Sequence, residues 1–236
     1  MYPQKLEGIV FDLDATLVNL GGFVNWREAQ KKAFETYIKC NCSEVMVQRF
    51  SKQGLFNMIN LVREENIRTL PQEQAEIIQK MAYDAIEECE VESINKCELM
   101  PECDPTLEWI KNRGILMGIA TSNSEDVAKK ILEVKGIHQY FSAVVGRRPN
   151  MRMKPNPDPV NICLHEMKVI PENSIMIGDS IKDVKAAKAA GIYVIAIPAF
   201  FTKKDSLIEA GVNHIIKSLD ELPQIISGGG PLVESD

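Results

Sequence analysis

The chain has 236 residues, 45% hydrophobic and 25% charged, with a formal net charge of −6. That length supports one large core or two modest ones, and the acidic balance argues against a general binder of nucleic acid or of membrane surfaces, which needs a basic face. No apolar stretch approaches the ~20 residues of a membrane span. The start, Met1-Tyr2-Pro3-Gln4-Lys5, lacks the charged opening and long apolar run of a secretory signal, so the expected location is the cytoplasm. Cys40, Cys42, Cys89, Cys97, Cys103 and Cys163 include no C-x-x-C pair and no histidine at zinc-ligand spacing. They are expected to be reduced thiols.

The first element is the apolar run Gly8-Ile9-Val10-Phe11, which ends in Asp12-Leu13-Asp14-Ala15-Thr16. Its β-branched and aromatic content reads as a short strand buried on both faces. Gly21-Gly22 follows, a pair suited to a hinge. From about 26 to 97 the text is helix-like throughout. Val45, Val47, Phe50, Leu55, Met58, Ile59 and Val62 recur at three- and four-residue intervals, enough for a bundle of about four helices.

A different pattern begins near Met100. Asp104-Pro105 reads as a helix N-cap with proline at the first position, and that helix ends at Gly114. A strand is expected at 115–120, then a helix capped by Ser124 and stopped at Gly136. Further strand-like runs lie at 141–145, 174–177, 193–197 and 214–216, with helical text between them. Alternation of this kind predicts an α/β fold: a doubly wound, Rossmann-like parallel sheet covered on both faces, with an inserted all-α cap. The expected division is a core of 1–20 and 100–226, a helical cap of 21–99, and a flexible tail of 227–236 containing Gly228-Gly229-Gly230-Pro231.

Four expected strand ends carry chemistry. The first bears Asp12 and Asp14; the second runs into Thr121-Ser122-Asn123; Lys154-Pro155-Asn156-Pro157-Asp158 follows the third; the fourth runs into Gly178-Asp179-Ser180, with Asp183 one turn on. In a parallel sheet these ends share one edge, where ligands of open α/β sheets bind. Carboxylates from two strands offer hard oxygen ligands of the kind Mg²⁺ takes, Lys154 adds a positive charge, and Thr121 with the amides after it adds donors. Together they suit a phosphoryl group. A carboxylate can attack phosphorus, and a second can handle protons.

Each piece has a plainer reading. Asp12 and Asp14 alone would be a capped turn; Asp179 and Asp183 would be acids at a helix start; Thr121 would be a strand-end cap, and Lys154 a solvated charge. Arg147, Arg148 and Arg152 read as a solvated loop, with anion guidance as the alternative. Trp26, with Arg27 beside it, reads as buried in the cap rather than facing the crevice.

Asp12-Leu13-Asp14-Ala15-Thr16, Thr121, Lys154 with its Pro-x-Pro, and Gly178-Asp179 with Asp183 resemble, in order, the four motifs of the haloacid dehalogenase-like superfamily. The branch is that of phosphoglycolate phosphatase and β-phosphoglucomutase, with a helical cap. The resemblance implies catalytic roles for four residues: Asp12 as nucleophile, Asp14 as general acid and base, Thr121 as donor to the phosphoryl oxygen, and Lys154 holding that group and Asp12. It implies Mg²⁺ held by Asp12, the Asp14 main-chain carbonyl and Asp179, with Asp183 nearby. Substrate contacts are expected from Ser122 and Asn123, and from Lys52, where relatives place a specificity loop. Ala15 stands where that branch usually has glycine; alanine is disfavoured at positive φ, so the turn is expected to differ slightly there.

Aspartate at 14 sets the chain apart from the family's dehalogenases and phosphonate hydrolases, which lack an acid there. The expectation is an Mg²⁺-dependent phosphatase acting on a small-molecule phosphate ester, of phosphoglycolate or sugar-phosphate type, through an aspartyl-phosphate. It would work as a monomer or homodimer without nucleic-acid or membrane partners. The alternatives are a phosphotransferase or sugar-phosphate mutase, and a non-catalytic binding module.

Overall fold

Ile9, Val10 and Phe11 are wholly buried, because the strand they form has a neighbour on each side and a layer on each face. The computed structural model describes residues 1–199 and 202–230. After β1 (Gly8–Phe11) come four helices: α1 (Trp26–Lys39), α2 (Glu44–Ser51), α3 (Leu55–Thr69) and α4 (Gln72–Val91). The chain then runs α5 (Cys103–Lys111), β2 (Leu116–Ser124), α6 (Glu125–Val134), β3 (Ala143–Arg147), α7 (Asp158–Met167), β4 (Ser174–Gly178), α8 (Ile181–Ala189), β5 (Tyr193–Ala196), α9 (Lys204–Glu209), β6 (His214–Ile215) and α10 (Leu222–Ser227).

The sheet is parallel throughout, in the order β3-β2-β1-β4-β5-β6. The strand order reverses at β1, which makes its carboxyl end the switch point where such sheets open a crevice. Pleat alternation sends Ile9 and Phe11 to one face, with apolar residues of α5, α6 and α10, and Val10 to the other, with α7, α8 and α9. Each such buried side chain contributes about 1.5–3 kcal/mol relative to exposure.

The cluster of the first face continues into the helical bundle through Tyr37, Val47, Met58, Ile59, Val62 and Ile86. Helices α1–α4 therefore form the expected four-helix insertion. The chain leaves and re-enters the core side by side: Asn19 N–H donates to Glu98 O at 3.1 Å, Glu98 N–H to Asn19 Oδ1 at 2.6 Å, and Met100 N–H to Leu17 O at 2.8 Å. None of the helices among the described residues is long and apolar enough to cross a membrane, and all six cysteines are unpaired.

Several local expectations are corrected. Glu102, in a left-handed conformation and without a side-chain capping bond, stands at the N-cap of α5 in place of Asp104, whose carboxylate instead accepts the Tyr140 hydroxyl at 3.0 Å. Ser124 stands at the α6 N-cap without a side-chain capping bond; its hydroxyl donates to Glu87 of the cap at 2.6 Å. The third strand starts later than its apolar run, because 138–140 form a 3₁₀ turn. The expected flexible tail begins as an ordered helix end, with Gly228 and Gly230 N–H donating to Gln224 O and Ile225 O at 2.9 Å; its remainder, 231–236, lies outside the described residues.

Gly146 of β3 lets the backbone at the start of α6 come close: a Cβ there would collide with the amide nitrogen and Cα of Glu125 and lie 2.8 Å from Asn123 O. Backbone cannot yield as a side chain does. Gly146→Ala is therefore expected to destabilise the protein by about 1–3 kcal/mol, read as a lower urea midpoint; an unchanged midpoint would show that the contact relaxes freely.

Candidate active site

The carboxyl ends of β1, β2 and β4 and the segment after β3 surround a cavity of about 540 Å³. From the core it is lined by Asp12, Asp14, Ala15, Thr121, Ser122, Asn123, Lys154 and Asp179–Lys182, with Thr202, Lys203 and Ser206 beyond. Trp26 and Phe56 line it from the cap.

Asp12 continues the ladder, its N–H donating to Ile177 O at 2.8 Å, so its carboxylate emerges from the centre of the sheet. The Lys154 ammonium lies 2.7 Å from Asp12 Oδ1 and 2.5 Å from Asp183 Oδ1. All three residues are buried. Asp12 Oδ1 has this charge contact but no aligned hydrogen bond. Asp183 Oδ2 accepts from Ser180 N–H at 3.0 Å and Ser180 Oγ at 2.6 Å, closing the capping box that starts α8. Both Asp183 oxygens are thus engaged, and the residue steadies Lys154 from behind the cavity wall.

Asp14 is set by the turn that follows. Ala15 adopts φ 59°, and the chain curls so that Gly21 N–H donates to Asp14 Oδ1 at 2.7 Å. A Cβ at residue 21 would strike the Asp14 carboxylate. The supposed hinge pair instead sits in a 3₁₀ turn that holds the second acid.

The Thr121–Asn123 segment is self-bonded. Thr121 Oγ1 donates to Asn123 Oδ1 at 3.0 Å and accepts from Asn123 N–H at 3.2 Å.

Acid crowding shapes the charge states. Burial, then the Asp183 charge, outweighs Lys154 and raises Asp12 above the ordinary carboxylate range. Burial raises Asp14 to about 6, with the Gly21 amide opposing and the Asp12 charge adding. Asp179 is also raised, by burial and then by Asp183 and Asp12. Burial favours loss of the Lys154 proton, but Asp12 and Asp183 overcome it and raise that group. Carboxylate oxygens of Asp12, Asp179 and Asp183 lie within 4.8 Å of one another. A buried, cation-poor set of hard oxygens, one of them without an aligned donor, suits a divalent cation of the Mg²⁺ type.

The cavity thus gathers Asp12, Asp14, Thr121, Ser122, Asn123, Lys154 and Asp179. It does not gather Lys52, which is exposed at the end of α2, outside the lining. Trp26 is corrected from buried cap residue to cavity wall: its indole N–H donates to Gly21 O at 3.0 Å, and its ring lies 5.5 Å from that of Phe56. Arg147 is corrected from solvated loop to wholly buried ion pair, while Arg148 and Arg152 pair with Glu125 and Asp158 nearer the surface. Sequence reading missed Phe56 and Lys182. Lys182 sits in the first turn after Asp179, a position that signals proximity; its ammonium lies 4.8 Å from the Phe56 ring centroid. One apolar residue in an amphipathic helix carried no signal for Phe56.

Residues 9–197 match the family model of haloacid dehalogenase-like hydrolases. A phosphoglycolate phosphatase of Nitrosococcus oceani is 26% identical over 225 residues, covering 95% of this chain and 98% of that one. The pyrophosphatase PpaX of Oceanobacillus iheyensis is 24% identical over 235 residues, covering 94% and 98%. The structure of CbbY from Rhodobacter sphaeroides in complex with phosphate aligns with a TM-score of 0.61 at 22% identity, covering 92% of this chain and 96% of that one. The chain belongs to the haloacid dehalogenase-like hydrolase family and carries a helical cap; the relatives it matches over nearly their whole length are phosphatases by name.

Ala15 carries a methyl group at a φ that favours glycine. Ala15→Gly is expected to stabilise the protein by up to about 1 kcal/mol, raising Tm by about 2–4 °C. A fall in Tm by calorimetry would mean that the methyl contacts outweigh the backbone strain.

Proposed function

We propose that the protein is a Mg²⁺-dependent phosphatase that cleaves a small phosphate ester through an aspartyl-phosphate on Asp12. One observation carries the reading. The Asp12 carboxylate is held 2.7 Å from a buried ammonium on the floor of a cavity where a second carboxylate, tethered by Gly21, has its pKa raised to about 6.

In this reading an Asp12 oxygen attacks phosphorus and forms a new P–O bond as the ester P–O bond breaks. Asp14 gives its proton to the departing ester oxygen, which leaves as an alcohol. A pKa near 6 suits that transfer, since an ordinary aspartic acid would rarely be protonated at neutral pH. The resulting Asp14 carboxylate then takes a proton from a water whose oxygen attacks the phosphoryl-aspartate. The P–Oδ bond breaks, inorganic phosphate departs, and both acids are restored. The Thr121 hydroxyl, turned from Asn123 Oδ1, and the Ser122 amide donate to the phosphoryl oxygens, and Lys154 balances charge on that group and on Asp12.

Asp12, Asp179 and the Asp14 main-chain carbonyl would hold Mg²⁺, with Asp183 behind them; bound there, the ion supplies positive charge against the phosphoryl oxygens. The ester is small because the cavity is: about 540 Å³, with Trp26 and Phe56 shielding the reacting centre from bulk water. The relatives named phosphoglycolate phosphatase and pyrophosphatase support an anionic substrate of this size. Among the described lining residues the cap contributes these two aromatic rings alone, which favours water over a bound sugar as the phosphoryl acceptor.

Asp12→Asn is expected to lower p-nitrophenyl phosphate hydrolysis on the order of 10⁴-fold with an unchanged circular dichroism spectrum; retained turnover would end the proposal. Wild-type activity is expected to vanish in EDTA and to return with added Mg²⁺. Full activity in the chelator would remove the metal from the reading.

A further inference from the structure

A second charged cluster lies behind the Thr121–Asn123 segment, where the cap meets the core. Glu90, in the last turn of α4, and Arg147, at the end of β3, form a two-point ion pair: Nη2 to Oε2 at 2.6 Å and Nη1 to Oε1 at 2.7 Å. Both side chains are fully buried. Arg147 Nη1 also donates to Ser122 O at 3.0 Å. Glu90 Oε1 accepts from Asn123 Nδ2 at 2.9 Å, and its Oε2 from Ser124 N–H at 3.4 Å. One turn earlier on α4, Glu87 accepts the Ser124 hydroxyl at 2.6 Å, and Tyr83 lays its ring 5.4 Å from the Arg147 guanidinium.

The placement of these contacts has a physical reason. The pairing of β1 with β2 ends at Phe11 and Ile119. The pairing of β2 with β3 shifts register between Ala120 and Ser124. Residues 121–123 therefore leave the ladders on both sides, at the point where they face the Asp12 carboxylate. Support that a sheet would ordinarily give comes instead from Glu90 and Arg147, which grip residues 122, 123 and 124. Asn123 passes it on by accepting the Thr121 hydroxyl at 3.0 Å.

We propose that Glu90 is a positioning residue for the phosphoryl-binding segment. Seated by Arg147, it fixes Asn123, whose N–H donates to Thr121 Oγ1 at 3.2 Å, and so holds that oxygen at the cavity wall, where its hydrogen can turn from Asn123 Oδ1 to the phosphoryl group. Docking of the cap's last helix and formation of the phosphoryl pocket are then a single event. The inference rests on the phosphatase reading above and adds to it a residue from the cap that never touches substrate.

The test compares variants that leave no unpaired buried charge. In Glu90→Gln/Arg147→Met the ion pair is gone but residue 90 keeps an acceptor for Asn123 Nδ2; in Glu90→Leu/Arg147→Met the acceptor is gone too. Replacing a buried pair by residues of similar volume is commonly tolerated. The leucine variant is expected to lose roughly 10–100-fold in kcat/KM for p-nitrophenyl phosphate, with a parallel rise in the inhibition constant of inorganic phosphate. The glutamine variant is expected to recover most of that loss. Equal kcat/KM in the two folded variants would reduce the pair to a structural role and overturn the proposal. Glu90→Asp, which keeps the charge beside Arg147 but draws the acceptor back from Asn123 Nδ2 by one methylene, keeps the test decisive should the leucine variant not fold. It is expected to weaken phosphate inhibition and kcat/KM about 3–10-fold, and no change in either would overturn the proposal. Asp12→Asn run alongside separates the failures: activity in that variant defeats the phosphatase reading, whereas an inactive Asp12→Asn with an unaffected Glu90→Asp defeats the positioning role alone.

Discussion

The structure turns on an imbalance of buried charge. Four carboxylates, Asp12, Asp14, Asp179 and Asp183, are drawn to the carboxyl edge of the sheet around the Lys154 ammonium, which contacts two of them directly. Two like charges 4 Å apart repel by about 4 kcal/mol at an effective dielectric of 20, so the acids cannot all ionise unaided. The neighbourhood is arranged to bear this load. The Gly21 amide binds Asp14, and Ser180 binds Asp183. What is left unbalanced falls on Asp12, Asp14 and Asp179, whose affinities for protons rise. The same excess favours a divalent cation and raises the share of Asp14 that carries a proton near neutral pH.

The cluster behind residues 122–124 obeys the same electrostatics with the opposite outcome. Glu90 and Arg147 are as deeply buried as the site acids, yet they balance one to one and fill nearly all their bonding positions; Arg147 Nε alone lacks a partner. A balanced buried pair is rigid and register-specific rather than reactive. It ties the cap to a segment of backbone that the sheet ladders have released. Cap and core also share one continuous apolar cluster, and Arg63 of α3 donates to Pro149 O of the core at 3.0 Å. The cap is therefore part of how the crevice is built as well as its roof.

Much of this was legible along the chain because it is local or periodic. A continuous β-branched and aromatic run ending in two acids marked β1, apolar spacing marked the four cap helices, and parallel strand ends put Asp12, Thr121, Lys154 and Asp179 on one edge. Misreadings fell where a side chain's partner is distant in sequence. Arg147 looked like one of three solvated arginines, because its partner is 57 residues away. Ser124 looked like a helix cap, because Glu87 gave no sign of competing for its hydroxyl. Lys52 is a surface charge, and Trp26, read as cap interior, faces the site. Gly21 reads as a hinge until the approach of Asp14 shows why a side chain is excluded there.

The sequence by itself determined the order of elements, the parallel sheet, the insertion point of the cap and the polar residues gathered at the strand ends of the core, since each follows from periodicity or from the fixed geometry of a strand end. Ala15 was also visible as a departure from glycine expected to shift its turn; the residue stands at positive φ all the same. Only the tertiary structure decided which acids are free and which are occupied, with Asp14 tethered and Asp183 committed to Lys154 and Ser180. It alone placed Trp26 and Phe56 over the cavity and Glu90 behind residues 121–124. Desolvation and pairing depend on what surrounds a group from every side, and no one-dimensional pattern carries that information.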